Sequence, residues 1–147
     1  MNPICKIVIT AVSLASLSGP VLAHTTCSGH GHSEILPASK FDAKGIARTE
    51  TVRSEFDGNR QAIQVRVDFA PGASFPKHFH PGVEIAYVLT GSIEYEMDGK
   101  TIRLKAGESL HIPAGAVHSA KNIGLGVTSE LATYIVDKDK PIVNLSK

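Results

Sequence analysis

The chain contains a series of short segments in which apolar and polar residues alternate, and this two-residue period constrains the fold more than any other feature. The clearest alternation has its apolar positions at Ile63, Val65, Val67 and Phe69. Strict alternation is typical of a strand with one buried face. We therefore expect Ile63, Val65 and Val67 to face the interior of a β-domain. No window with a helical period stands out.

Four further segments have strand character, at residues 84–89, 92–97, 101–104 and 127–136. The last of these fits either one long strand or a pair of strands. Asp98-Gly99 is the strongest short hairpin signal in the chain, and glycines and prolines separate the other segments. Short strands joined by such turns predict an all-β fold, an antiparallel sandwich or barrel from about residue 60 to residue 136.

The first 23 residues have the pattern of a secretory signal peptide. Lys6 is followed by an apolar or small stretch at residues 7–17, a Gly19-Pro20 break, and small residues at the −3 and −1 positions before His24. A membrane anchor is the alternative, but the apolar run is too short to span a bilayer. Without a lipobox cysteine or an arginine pair, the pattern favours the Sec route. We expect a secreted or periplasmic protein with no membrane contact after cleavage.

Residues 24–45 are predicted to be a mobile arm, because they are polar and lack periodicity. The arm contains His24, Cys27, His30 and His32. Removal of Cys5 with the signal peptide would leave Cys27 as a free thiol, an intermolecular bridge or a metal ligand. The histidines would either chelate Cu(II) beside the new amino terminus or belong to a tail that binds metal adventitiously.

Composition restricts the remaining residues, 46–147, to one domain and limits its partners. The chain has 147 residues, with 15 Lys plus Arg against 14 Asp plus Glu and a formal net charge of +1. A nucleic-acid or anionic-membrane partner would require clustered basic charge. The absence of tryptophan and an aromatic content of 5% also argue against a base-stacking surface. We therefore expect no nucleic-acid partner.

Two histidine-bearing motifs lie within the β region. They read Gly72-x5-His78-x-His80-x3-Glu84-x6-Gly91 and, fifteen residues later, Gly107-x5-Pro113-x-Gly115-x2-His118-x3-Asn122. Over residues 72–91 and 107–122 the chain resembles the cupin superfamily at every fixed motif position. The resemblance implies a small antiparallel β-barrel of jelly-roll type. It also implies one metal ion inside the barrel, with four ligands: His78, His80, Glu84 and His118.

The residues themselves support a metal site at this place. Side chains two apart on a strand face the same side, so His78 and His80 point together. The Pro81-Gly82 turn allows Glu84 to aim at the same point, and His118 follows a second turn. Three imidazoles and a carboxylate suit a divalent transition metal, namely Zn, Cu, Mn, Fe or Ni. Because Sec export delivers an unfolded chain, we expect zinc or copper on isolation.

Other residues receive weaker assignments, and no catalytic residue is assigned. Glu94 and Glu96 are expected on a solvated face, although one pointing inward would be a candidate general base. His111 is expected in a surface or packing role, and Asn122 in a turn or hydrogen-bond network. Backbone geometry is the expected role of the motif residues Gly72, Gly91, Gly107, Pro113 and Gly115. Core or rim positions are expected for Tyr87, Tyr95 and Met97.

The resemblance implies two classes of function, because fold alone does not determine activity. The first is a metal-dependent enzyme acting on a small organic molecule, with dioxygenase chemistry as its leading form. The second is a non-catalytic protein that binds a small molecule or a metal. Many members of the superfamily pair through sheet edges, so we also expect a homodimer, for which an exposed edge strand is the physical reason.

The signal-peptide pattern predicts that the exported protein begins at His24. Cleavage requires small residues at the −3 and −1 positions, which Val21 and Ala23 supply. Amino-terminal sequencing of the exported protein measures this directly. Exported protein that begins at Met1 would contradict the prediction.

Overall fold

A computed structural model describes residues 40–146, which form two antiparallel sheets. The strands in this part of the chain are β1 (Ile46–Glu55), β2 (Arg60–Phe69), β3 (Ser74–Phe79), β4 (Gly82–Thr90), β5 (Ser92–Met97), β6 (Lys100–Lys105), β7 (Ser109–Ile112), β8 (His118–Asn122), β9 (Thr128–Asp137) and β10 (Asn144–Leu145). The predicted signal peptide, Cys27 and the histidines of the arm lie outside the described residues. No helix that could cross a membrane occurs between residues 40 and 146.

Most strands that are neighbours in a sheet are not neighbours in the sequence. The first sheet has the order β1-β2-β9-β4-β7, and the second has the order β10-β3-β8-β5-β6. Every paired strand is antiparallel to its neighbour. Buried residues from both sheets form one apolar cluster. The predicted all-β class and jelly-roll type are confirmed.

Individual strands agree with the sequence pattern where one face is buried. β5 has the predicted bounds, and residues 128–137 form one strand rather than two. The prediction missed β1, whose residues after Ala47 are exposed along the strand. An edge strand of this kind has no apolar face to bury, so its sequence shows no alternation. Pairing with β2 holds it in the sheet instead.

The apolar residues of β2 face inward as predicted, but one polar residue on the opposite face is buried too. Ile63, Val65 and Val67 are buried. Asp68 is buried as well, although alternation places it among the polar, solvent-facing residues. Arg66 Nε donates to Asp68 Oδ1 over 2.9 Å, and the Ser129 hydroxyl donates to the same oxygen. These hydrogen bonds offset the cost of burying the carboxylate.

Turn residues have the predicted backbone roles. Positive φ angles occur at four motif glycines: Gly72, Gly91, Gly107 and Gly115. Asp98 and Gly99 have φ angles of 51° and 72°. Positive φ at both central residues is the property of a type I′ hairpin turn, which joins β5 to β6.

Asn122 lies at the centre of a buried hydrogen-bond network, as predicted. Its Nδ2 donates to the carbonyls of Phe69, Ala70 and Gly126 at 3.0, 3.0 and 2.8 Å. Its Oδ1 accepts from Gly124 N and from the Thr128 hydroxyl, both at 2.8 Å. The second motif therefore ends on a residue that holds the loop between β8 and β9 against the end of β2.

The outer face of β4 is more apolar than expected. Ile85, Tyr87 and Leu89 are 44%, 42% and 39% exposed. The expectation of a core or rim position is therefore wrong for Tyr87, because its side chain points to the outer face of β4, with those of Ile85 and Leu89. Tyr95 is buried and Met97 packs against the core, as expected.

Gly82 lies where β4 and β9 approach most closely. A Cβ atom at this position would lie 2.1 Å from Ile135 O and 2.7 Å from Val136 Cα. Both are backbone atoms, so a side chain could not be accommodated by a rotamer change. This contact fixes the segment between His80 and Glu84 against β9.

We predict that Gly82→Ala destabilises the domain by about 1–3 kcal/mol, the usual cost of overpacking. Gly58→Ala is the matched control, because a Cβ at Gly58 would meet nothing within 4 Å. Urea unfolding followed by circular dichroism measures both variants. Equal midpoints for Gly82→Ala and Gly58→Ala would contradict the close contact between the two strands.

Candidate metal centre

The four predicted ligand residues come from three strands and one connection, and the fold brings all of them together. His78 is in β3, Glu84 in β4 and His118 in β8, while His80 lies in the connection between β3 and β4. One potential ligand atom of each residue lies within 4.8 Å of the others. All four side chains are buried, none more than 6% exposed.

Backbone carbonyls orient the three imidazole rings. Nδ1 of His78 lies 2.8 Å from Pro76 O, and Nδ1 of His118 lies 3.0 Å from Ala116 O. Nδ1 of His80 makes the same kind of contact with Ile142 O. A carbonyl only accepts hydrogen bonds, so each Nδ1 is the donor and each neutral ring has its lone pair on Nε2.

The carboxylate of Glu84 completes the group. Its Oε2 lies 2.9 Å from His80 Nε2 and 3.3 Å from His118 Nε2. His80 Nε2 and Glu84 Oε2 are the two buried side-chain atoms of the described residues that have no hydrogen-bond partner. A carboxylate oxygen buried against an imidazole nitrogen requires a cation between them, either a proton on the ring or a metal ion. This donor set of three nitrogens and one carboxylate oxygen fits a divalent transition metal.

The protonation states also suit metal binding. Burial, and after it the charge of the neighbouring His118, lower the pKa of His78 to about 4. Burial raises the pKa of Glu84, but contacts with His118 and His80 outweigh this effect and bring it to about 2. At neutral pH, therefore, His78 is a neutral imidazole and Glu84 is a carboxylate, which are the forms that bind metal ions.

A small cavity adjoins this cluster. His78, Glu84 and His118 lie on its wall, and its free volume is about 20 Å³. A space of this size holds little more than one water molecule. The space beside the clustered side chains therefore admits only a very small guest.

Arg48 supplies a positive charge to the same cavity. It is an exposed residue of β1, and its guanidinium lies 4.5 Å from the centre of the Phe75 ring, in cation–π geometry. Arg48 and Phe75 both line the cavity. Within residues 40–146 the side chain of Arg48 forms no ion pair or hydrogen bond, so its N–H groups are available to an anion. The sequence analysis did not single out Arg48.

A second carboxyl group in the cavity was also missed. Glu130, in β9, is 4% exposed and lines the cavity, and it accepts a hydrogen bond from the hydroxyl of Tyr95. The alternation of β9 could have revealed it, because Glu130 falls on the same face of the strand as the buried residues Ala132, Tyr134 and Val136. A charged residue on the apolar face of a strand indicates a polar group inside the fold.

The other predicted acidic and histidine side chains lie away from the cavity. Glu94 pairs with Arg103, and Glu96 is exposed and pairs with Lys77. Both are therefore on the solvated face, as expected, and the alternative of an inward-pointing general base at these positions is wrong. His111 is exposed in β7, which agrees with its expected surface role.

Comparisons with known proteins place this site in a family. A cupin-domain model matches residues 65–134. An oxalate-binding protein of Thermotoga maritima is 30% identical over 109 residues, which cover 71% of this chain and 90% of that protein. The polyketide synthase CurC of Streptomyces cyaneus is 38% identical over 55 residues, and the chain spans only 36% of its length.

A solved structure agrees with these sequence matches. Recombinant oxalate oxidase in complex with glycolate superposes with a TM-score of 0.57 and 27% identity, covering 71% of this chain and 56% of that one. The matched cupin domain contains all four clustered residues, three from the first motif and one from the second. The chain therefore belongs to the cupin superfamily.

Proposed function

We propose that this protein is an exported, metal-dependent cupin that acts on a small organic anion. One observation carries the metal part of this proposal: three imidazole lone pairs and a carboxylate oxygen meet in a buried cluster in which His80 Nε2 and Glu84 Oε2 have no hydrogen-bond partner. The ion is one divalent transition metal, from the set Zn, Cu, Mn, Fe and Ni. Its proposed ligands are His78, His80, Glu84 and His118.

The ion would supply a Lewis-acidic or redox centre with positions open to a substrate oxygen or to dioxygen, and dioxygenase-type oxidation is the reaction class we propose. The chain itself supplies orientation and a dry environment. Carbonyls of β3, of the turn before β8 and of the segment before β10 hold the imidazoles. The small cavity excludes bulk water, which strengthens electrostatic interactions with a guest.

Arg48 favours an anionic substrate. Its guanidinium is held over Phe75 at the cavity and has no carboxylate partner of its own within the described residues. A guanidinium binds a carboxylate through two parallel hydrogen bonds. The similarity to an oxalate-binding protein and to an oxalate oxidase in complex with glycolate supports the same class, since both names refer to small carboxylates.

A non-catalytic binding role is the second candidate. The cavity of about 20 Å³ favours it, because so small a space leaves no room for a second reactant beside a bound guest. The oxalate-binding protein, which the match covers over 90% of its length, is named for binding rather than for turnover. Export from the cytoplasm and the homodimer stay predictions; the sheet edges that could pair are β1, β7, β10 and β6.

Elemental analysis of the purified exported protein, followed by a dioxygen-uptake screen with oxalate and glycolate, tests the proposal. A metal-loaded protein that consumes dioxygen with one of these acids supports an enzyme. Retention of the acid without turnover supports the binding role. Protein that contains no transition metal and takes up none would contradict both.

We predict that His80→Ala lowers the bound metal well below one ion per chain. The substitution removes one of four ligands and little of the apolar core, so the domain should remain folded. His111→Ala, which removes an exposed histidine outside the cluster, is the control and should keep its metal. Both variants are also made without residues 24–32, whose histidines could bind metal separately. Full metal content in His80→Ala without this segment would exclude the site.

We predict that Arg48→Gln weakens oxalate binding by the metal-loaded protein about tenfold or more, the usual effect of losing a charge-assisted hydrogen bond. Arg103→Gln is the control, because Arg103 pairs with Glu94 on the exposed face of the second sheet. Calorimetric titration with oxalate measures the dissociation constants. Equal affinity in the two variants would show that Arg48 does not receive the anion.

A further inference from the structure

Glu130 is a buried carboxyl group that the proposed metal site does not use. It lines the same cavity as Glu84 and His118 but is not one of the clustered ligand residues. The cavity therefore has two carboxyl groups in different surroundings. Glu84 faces imidazole nitrogens, whereas Glu130 faces a phenol.

The hydrogen bonding of Glu130 leaves one of its oxygens for a guest. The Tyr95 hydroxyl, 1% exposed on β5, donates to Oε2. Oε1 forms no hydrogen bond within residues 40–146 and is not among the fully enclosed atoms without a partner, so it opens onto the cavity. No Lys, Arg or His of the described residues forms an ion pair with this carboxyl group. A carboxylate buried without a cation is costly, whereas a neutral carboxylic acid is tolerated.

Electrostatics agree with this geometry. Burial, and after it the charge of Glu84, raise the pKa of Glu130 to about 8, although the hydrogen bond from Tyr95 and the charge of Arg48 act to lower it. Burial and Glu130 also keep the pKa of Tyr95 well above its usual range. Titratable and charged groups on five other strands and on β9 itself line the cavity with Glu130, and they are Arg48, His78, Glu84, Tyr95, His118 and Tyr134.

We propose that Glu130 is the catalytic acid–base residue of this cavity, exchanging a proton with the guest while Tyr95 holds its carboxyl group in place. In the acid direction the Oε1–H bond breaks and the proton passes to an oxygen atom of the guest. Glu130 is left as a carboxylate that still accepts from Tyr95. The reverse transfer restores the acid, so no oxidant or reductant is consumed. This inference rests on the proposed function, because the guest is the molecule bound at the metal.

A merely structural role for Glu130 is the alternative, in which it only anchors Tyr95 in the core. The two roles differ in what a bound anion experiences. A protonated Glu130 donates a hydrogen bond to an anionic guest, and a charged Glu130 repels it. A purely structural Glu130 would leave the pH dependence of anion binding unchanged.

The test uses the metal-loaded full chain with formate as the probe, titrated calorimetrically between pH 5 and pH 10. We expect the affinity of the wild type for formate to fall about tenfold or more as Glu130 loses its proton. Glu130→Gln keeps a neutral hydrogen-bonding group and should lack this transition. Tyr95→Phe should move the transition to higher pH. In the wild type the hydrogen bond from Tyr95 stabilises the charged form of Glu130, so its removal raises the pKa of Glu130. Glu94→Gln, on the solvated face of β5, should behave as the wild type.

Infrared spectroscopy gives a readout that is independent of the metal. The wild type should show a protonated-carboxyl band that titrates and that Glu130→Gln lacks. An identical formate profile in wild type and Glu130→Gln would overturn the proposal, as would loss of the metal from Glu130→Gln or a wild type that binds no formate. A wild type that binds no metal contradicts the proposed function instead, and the infrared titration of the metal-free chain then decides the role of Glu130.

Discussion

The placement of three imidazole lone pairs inside an apolar sandwich is the constraint on which the rest of the structure depends. Each ring gives its Nδ1 proton to a backbone carbonyl, so each Nε2 is left as an acceptor. Buried acceptors without donors destabilise a fold. A cation bound between His80 Nε2 and Glu84 Oε2 would remove that cost.

Two carboxyl groups in one cavity have opposite protonation tendencies because their neighbours differ. Glu84 lies beside His80 and His118, which hold its pKa at about 2. Glu130 has only a phenol as its hydrogen-bond partner, and its pKa is raised to about 8. Groups driven apart in this way can divide the work of a site, one as a constant charge and the other as a proton carrier. Arg48 at the cavity adds a fixed positive charge.

Close contacts between backbones bring these groups together. Gly82 allows β4 to approach β9, which carries Glu130 and the inward-facing Tyr134. Asn122 holds the end of β8, the strand that begins with His118, against the end of β2. The turns of the motifs thus serve the geometry of the site, while the chemistry belongs to side chains that point into the fold.

The sequence alone determined the β class and the inward face of β2, because alternation sets which side chains share a face. Its two motifs indicated the four clustered residues through their resemblance to the cupin superfamily. It did not reveal β1, whose exposed residues carry no alternation, or the partnership of Glu130 with Tyr95. That pair is separated by 35 residues and lies on facing sheets. Only the tertiary structure decides such contacts, because the environment of a buried charge depends on which strands pack against it.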